Sequence, residues 1–433
     1  MARKSELNGY TFVKTVAGIE EYVLKSNGLR VLYLNRPETG VITTNITYLV
    51  GARDEKRGET GLAHMLEHML FKPTTFDKKQ GVKEGGAMKF ERETGCILNA
   101  NTWKDRTTYF FSYPKEHFAH ALQIEAERMT GVILNDKELT PEKGNVLSEF
   151  DMYNGDPYFA LEVQMVSTAF HSHPYGHETI GYREDIEDYT PQKLEDFYRN
   201  YYRPDNAVMM VIGDIDKNTA LEQVKEKFGK IEKPNSQIPR FSIREPKQEG
   251  LRRVQIKRLS NTNIVSIGFK HPGFPSKDWF ISEIALEILT QGPESILHKK
   301  LVDTAKCSSV DSGHEPTSET NISSIVLTLA PGQDHLIIEE TVRKIISDLT
   351  KKDIDALVNK AKAKTLTDEL FSREHSLKIA QILTEYVASG QWEKYEETEK
   401  ILKSITTQDI LKSFKDYFND SNLTIGYFKG LKQ

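Results

Sequence analysis

An α+β fold built twice is what this 433-residue sequence predicts, and three observations carry that expectation. The first is the pattern of strands. Residues 21–24 and 29–35 flank Asn27-Gly28, a hairpin signal, residues 42–50 are β-branched and alternating, and Ile97–Thr102 and residues 107–113 read as a second hairpin. The second is that helical periodicity follows the strands. Pro114 opens an amphipathic stretch carrying Phe118, Ala121, Leu122 and Ile124. The third is an internal repeat. Thr190-Pro191-Gln192-Lys193-Leu194, leading to Tyr198, Tyr201, Tyr202 and Asn206, is echoed by Thr406-Thr407-Gln408-Asp409-Ile410, leading to Phe414, Tyr417, Phe418 and Asn422. The offset is constant (406 − 190 and 422 − 206 both give 216), and each copy ends in a strand, Ala207–Gly213 or residues 423–428. The prediction is two homologous domains, residues 1–229 and 258–433, each a mostly antiparallel sheet with helices packed on one face. Residues 230–257, rich in Lys, Pro, Gln and Arg, join them.

A net charge of −5 spread along the chain gives no reason to expect nucleic acid or an anionic membrane as a partner. Apolar runs are strand-sized, too short to span a bilayer. The start, Met1-Ala2-Arg3-Lys4-Ser5-Glu6, leads into polar sequence without an apolar signal core, which predicts a cytoplasmic protein unless an export signal was removed from the sequence. Cys96 and Cys307 lie in different halves and predict no disulfide, Cys96 being read as a half-buried strand residue.

The stretch that speaks of chemistry is His64-Met65-Leu66-Glu67-His68. It falls in residues 60–71, one amphipathic helix whose apolar stripe is Leu62, Leu66, Met69 and Leu70. Imidazoles four residues apart on a helix point the same way and can share one tetrahedral Zn²⁺. Glu67 beside them could take a proton from water. Two histidines give only two protein ligands, whereas a catalytic zinc normally has three. Downstream, Thr140-Pro141-Glu142 reads as a helix start, with Thr140 as N-cap and Pro141 at the first helical position. On that helix Glu142, Val146, Glu149 and Tyr153 share a face. Acidic residues on a helix are most often solvated, so spacing alone leaves the third ligand open.

Taken together, these motifs resemble the pitrilysin/insulinase family of zinc peptidases, in its short bacterial-type or mitochondrial-processing-peptidase-like form. The resemblance runs from H-x-x-E-H through Gly95-Cys96-Ile97-Leu98-Asn99-Ala100-Asn101-Thr102, with Asp105, Thr107 and Tyr109 after it. It continues through His173-Pro174-Tyr175-Gly176 and Tyr202-Arg203-Pro204-Asp205-Asn206 to Asn422-Leu423-Thr424-Ile425-Gly426-Tyr427-Phe428. It implies one Zn²⁺ per chain held by His64, His68 and Glu149, with Glu142 as the competing ligand because the interval before Glu149 is a few residues long for the family. It implies Glu67 as the catalytic base, Glu142 as a carboxylate that orients a ligand or balances charge, and Asn99 and Ala100 at a sheet edge where substrate binds. The family fold is half of a clamshell, and relatives of this length take their second half from another chain. The repeat gives the second copy no histidine at either ligand position, so only the N-terminal half can hold the metal.

Two classes of function remain: a zinc-dependent endopeptidase acting on peptides or unfolded polypeptides, and a non-catalytic structural or assembly subunit on the same scaffold. Self-sufficient relatives carry an Arg and a Tyr in a segment of the second half. The matching residues 301–310 contain neither, and Lys306 is their only cation, which predicts a heterodimer with a homologous chain lacking H-x-x-E-H, a homodimer being the alternative. The His171, His173 and His177 cluster surrounds a Pro174-Tyr175-Gly176 turn and reads as loop rather than a second metal site. Lys360, Lys362 and Lys364 read as solvated surface, and Arg199 and Arg203 among tyrosines as packing, since the repeat places aromatics at the same spots.

Overall fold

The structure, a computed structural model, describes residues 9–432; residues 1–8, which include the start read above for a signal, lie outside the described residues. The chain divides into two compact units that do not follow a contiguous cut. The first comprises Met1–Phe150, Glu178–Ser242 and Ser372–Glu396, and the second Asp151–His177, Ile243–Phe371 and Glu397–Gln433. Residues 230–251 carry no helix or strand, and regular structure resumes at Arg252, inside the stretch expected to be linker.

The first unit is built on seven strands: β1 (Tyr10–Val16), β2 (Ile19–Leu24), β3 (Arg30–Asn35), β4 (Val41–Tyr48), β5 (Ile97–Thr102), β6 (Thr107–Pro114) and β7 (Ala207–Gly213). Their order is β1-β2-β3-β7-β4-β6-β5; only β3 and β7 run parallel. Asn27-Gly28 turns the β2–β3 hairpin as expected, with Gly28 at φ 84°. β1 was not foreseen: it alternates regularly, but only Tyr10 is buried and its other inward positions are half-buried. The central β7 is buried along its whole length, which is why it reads as an uninterrupted apolar run.

Alternation along β4 sends Ile42, Thr44 and Ile46 to one face and Thr43, Asn45 and Thr47 to the other. The first face is covered by the helices Leu62–Met69, Gly86–Thr94 and Phe118–Gly131, through Tyr113, whose hydroxyl meets Thr44 and whose ring meets Phe90, and through Phe71 against Tyr109. Against the polar face lies one helix, Ser376–Ala388, contributed by the C-terminal part of the sequence. Asn45 donates to Thr384 Oγ1 at 3.2 Å, and Thr47 and Thr108 share a hydroxyl bond at 3.1 Å.

The second unit carries β8 (Arg252–Leu259), β9 (Asn263–His271), β10 (Cys307–Gly313), β11 (Asn321–Leu329) and β12 (Leu423–Leu431) in the order β10-β11-β9-β12-β8, with only β8 and β12 parallel. The helix Pro157–Ala169 packs on this sheet through Leu161 and Met165, beside Ile264 and Phe428. Gly426 permits that approach: a Cβ there would lie 2.5 Å from Met165 Sδ. Both cysteines are free; Cys96, expected to be half-buried in a strand, is buried and lies just before β5 rather than in it, and Cys307 is buried too. No helix among the described residues is long and apolar enough to cross a membrane.

Candidate metal centre

The H-x-x-E-H run occupies the helix Leu62–Met69, called the motif helix below, two residues shorter at each end than its periodicity suggests. A helix of eight residues has little stability of its own. It is held by packing, since Leu62, Met65, Leu66 and Met69 are fully buried, each worth about 1.5–3 kcal/mol. Both ends are also clamped. The N-cap is Gly61 at φ 86°, and a Cβ there would lie 2.4 Å from Tyr189 Oη, so no side chain at the cap itself can satisfy the first amides. The Glu55 carboxylate does so instead, accepting from Gly61 N at 2.7 Å and Ala63 N at 2.9 Å. At the other end Arg128 Nε donates to Leu70 O at 3.2 Å, and its guanidinium, paired with Glu125, lies over Phe71 and Tyr109. Arg128 carries no local sequence signal, because it acts on a residue 58 positions away, whereas Glu55 lies only six and eight residues before the amides it caps.

The long helix Asp136–Gly155 supplies the carboxylates. It begins a turn before the expected start. Asn135 Oδ1 accepts from Glu138 N at 3.0 Å, so Asn135 caps the helix, while Thr140 and Pro141 lie inside it. Pro141 stays close enough to the start that only one backbone bond is given up. The face read from the sequence nevertheless holds: Glu142 and Val146 are buried, Glu149 half-buried and Tyr153 exposed.

His64, His68 and Glu149 come together, with one ligand atom from each within 4.8 Å of the others. His68 Nε2 lies 3.5 Å and His64 Nε2 3.9 Å from Glu149 Oε2. Tetrahedral zinc with bonds of about 2.0–2.2 Å separates its ligands by about 3.3–3.6 Å, so the donor set and its spacing fit the ion. No other group of three or more such side chains occurs among the described residues. His68 Nδ1 lies 3.4 Å from Glu142 Oε2, an arrangement that fixes the ring and leaves Nε2 for the ligand side. Glu142 is itself tied to Lys72 and Asn145. It therefore stands behind His68, and the grouping that meets at one point uses Glu149.

For the protein side chains alone, burial and then the neighbouring His68 drive the His64 imidazole down to about 4. Burial would lower His68 too, but hydrogen bonds with Glu142 and Glu149 outweigh it and lift the ring to about 9. Against burial, the bonds of Glu142 with His68, Lys72 and Asn145 hold its carboxyl down at about 2. Glu67 is raised above the usual carboxylate range by burial, and a bond from Thr102 Oγ1 to its Oε2 at 2.6 Å opposes the rise. Thr102 was not singled out in the sequence.

β5 forms one edge of its sheet, pairing only with β6. Asn99 is exposed there and its Oδ1 accepts from Ala100 N at 2.9 Å; Ala100 itself is buried. Arg106, just before β6, bonds both Asn101 of β5 and Glu385 of the helix Ser376–Ala388. Of the histidines left aside, His173 accepts from Tyr175 N at 3.2 Å and meets Glu319, its roles being those of a loop fastener.

Peptidases of one family share this fold. The model of the insulinase family (peptidase family M16) matches residues 30–183, and that of the peptidase M16 inactive domain matches residues 188–365. The chain belongs to this pitrilysin/insulinase family. It is similar to the zinc protease PqqE of Helicobacter pylori, 28% identical over 418 residues that cover 94% of this chain and 92% of that protein. It is also similar to the beta subunit of the mitochondrial-processing peptidase of Saccharomyces cerevisiae, 24% identical over 89% of this chain and 86% of the other. A crystal structure of a protease from Helicobacter pylori superposes with a TM-score of 0.89 at 26% identity, covering 96% of this chain and all (100%) of that one.

Proposed function

We propose that the chain is a zinc-dependent endopeptidase of peptides or unfolded polypeptides, with His64, His68 and Glu149 as the metal ligands and Glu67 as the general base. The observation that carries this reading is the meeting of three ligand atoms within 4.8 Å beside the Glu67 carboxylate, on a helix clamped at both ends. A zinc ion bound there supplies a Lewis acid and brings the pKa of water from about 15.7 towards about 7. Glu67 accepts the proton of the attacking water and hands it to the leaving amine, a task that suits a carboxylate whose pKa burial raises above its usual range. Glu142 holds the His68 ring by its Nδ1. The outer edge of β5, at Asn99 and Ala100, takes extended substrate backbone by adding a strand, which binds many sequences without choosing one. The same scaffold would also suit a non-catalytic subunit, as the naming of one matched model as an inactive domain suggests. Zinc content and peptide turnover of the purified chain, with His64→Ala, His68→Ala and Glu149→Ala beside it, test the two. About one zinc per wild-type chain, lost in each variant together with hydrolysis, is expected. Zinc-loaded protein inert towards every peptide, with or without partner chains, favours the scaffold.

The partner follows from residues 301–310, where the exposed Lys306 stands in place of the Arg and Tyr of self-sufficient relatives. Lysine lacks the planar fork that grips a carbonyl or carboxylate with two bonds. A second chain of the same fold, without H-x-x-E-H, then supplies both side chains. The isolated chain should hold zinc yet cleave poorly, and the partner should raise turnover without adding metal. Full activity as a homodimer, untouched by Lys306→Ala, rules the heterodimer out.

A further inference from the structure

Resting on the reading of Glu67 as the base, we infer that Thr102 is a positioning residue: its hydroxyl fastens the Glu67 carboxylate to the substrate edge strand, so base and substrate backbone are aligned by one rigid element. Thr102 is the last residue of β5 and is buried. By strand alternation it shares with Leu98 and Ala100 the face that packs on the motif helix, whereas Asn99 and Asn101 point the other way. Its Oγ1 donates to Glu67 Oε2 at 2.6 Å, the length of a hydroxyl bond to a charged acceptor.

The hydroxyl is placed by backbone rather than by a mobile side chain. Thr102 pairs with Thr107 across the hairpin, Thr107 Oγ1 donates to Val50 O at 3.0 Å, and the turn closes through Trp103 N to Arg106 O at 2.8 Å. A β-branched side chain is also stiff at χ1. Glutamate by contrast has three torsions, and a base must stay within about 2.6–3.2 Å of the proton it takes. Anchoring Oε2 fixes the carboxylate plane and leaves Oε1 for that proton. An error of about 1 Å in such a placement can cost about 100-fold in rate.

Two substitutions separate positioning from simple strand packing. Thr102→Val keeps shape and strand preference and removes only the hydroxyl; Thr102→Ser keeps the hydroxyl and removes the methyl. The full-length protein, with any partner chain it requires, is assayed for zinc content and for kcat and KM on a peptide. Thr102→Val should lower kcat at least about tenfold with zinc and KM unchanged, and Thr102→Ser should stay within about threefold of wild type. A Thr102→Val kcat within about twofold of wild type overturns the inference. Crystal structures of wild type and Thr102→Val give a second readout that needs no turnover. Glu67 should hold one conformer in the wild type and shift or split in the variant, and an unmoved carboxylate also overturns the inference. Wild type that is zinc-loaded but inert, combined with a displaced Glu67 in Thr102→Val, instead sinks the peptidase reading and leaves the fastening of Glu67 by Thr102 intact.

Discussion

The two sheets share one frame and differ in what it carries. Stripped of β1 and β2, the first reads β3-β7-β4-β6-β5, and the second reads β8-β12-β9-β11-β10, with the single parallel pair at the same end of each. The offset of 216 residues sets Phe280 and Ile284 where the first copy has His64 and His68 (280 − 64 and 284 − 68). It sets Val358 and Thr365 where the first copy has Glu142 and Glu149 (358 − 142 and 365 − 149). Phe280, Ile284 and Val358 are buried and simply fill space. Only Glu67 has a chemical counterpart, Glu283 (283 − 67). The comparison teaches that the frame is indifferent to the chemistry: a few side chains on two helices make the difference between a metal centre and a packed core.

The strongest way to break that contrast is through the metal. His64→Ala, His68→Ala or Glu149→Ala should each abolish tight zinc binding, because two protein ligands are too few. The reciprocal change, Phe280→His with Ile284→His, should add no zinc, since Val358 and Thr365 offer no carboxylate. Metal analysis decides both. Retention of full zinc by Glu149→Ala, with its loss in Glu142→Ala, would move the third ligand two turns along the helix.

Next in size is the base. Glu67→Gln keeps shape and hydrogen bonding but cannot take a proton, so turnover should fall at least about 100-fold with zinc and peptide binding retained. Glu283→Gln, the equivalent change in the second copy, should leave turnover unaltered. A Glu67→Gln variant within a few-fold of wild type takes Glu67 out of the mechanism.

Local pattern made much of this contrast readable from sequence. The Asn27-Gly28 hairpin, the β5–β6 hairpin, β7 and the helical face of Glu142 and Glu149 all depend on neighbours within a few residues, so periodicity and turn chemistry expose them. Thr140 and Pro141 misled because Thr-Pro is a strong start signal, yet Asn135 five residues earlier won the cap. What stayed hidden acts across long separations. Arg128 clamps the end of the motif helix, Thr102 meets Glu67, and Ser376–Ala388 returns to the first sheet from nearly the far end of the chain. No window of sequence contains both partners of such a contact.

A smaller effect is expected at Glu142, whose counterpart Val358 orients nothing. Glu142→Gln keeps size but removes the charge facing His68 Nδ1 and Lys72, and should weaken zinc about 10–100-fold without abolishing it. Competition with a chelator measures this. Unchanged affinity would leave Glu142 as a partner of Lys72 alone.

The smallest effect tests the second copy by itself. Burial, and then the nearby Glu287 and Glu369, push the Glu283 carboxyl up to about 7, while Lys364 is engaged with Glu287. A group whose folded pKa exceeds its ordinary value of 4.5 gives stability that is complete below about 4.5 and is lost as pH climbs through about 7. Above that range the folded protein holds an ill-placed charge that the unfolded chain solvates freely. Glu283→Gln is neutral throughout, so it should melt about 3 °C higher than wild type at pH 8 and show no such gain at pH 4. Thermal unfolding at both pH values, in wild type and variant, reads the difference directly. Equal melting at pH 8 would mean that Glu283 is already ionised at no cost, and that the one chemical echo of Glu67 in the second sheet is an ordinary solvated glutamate.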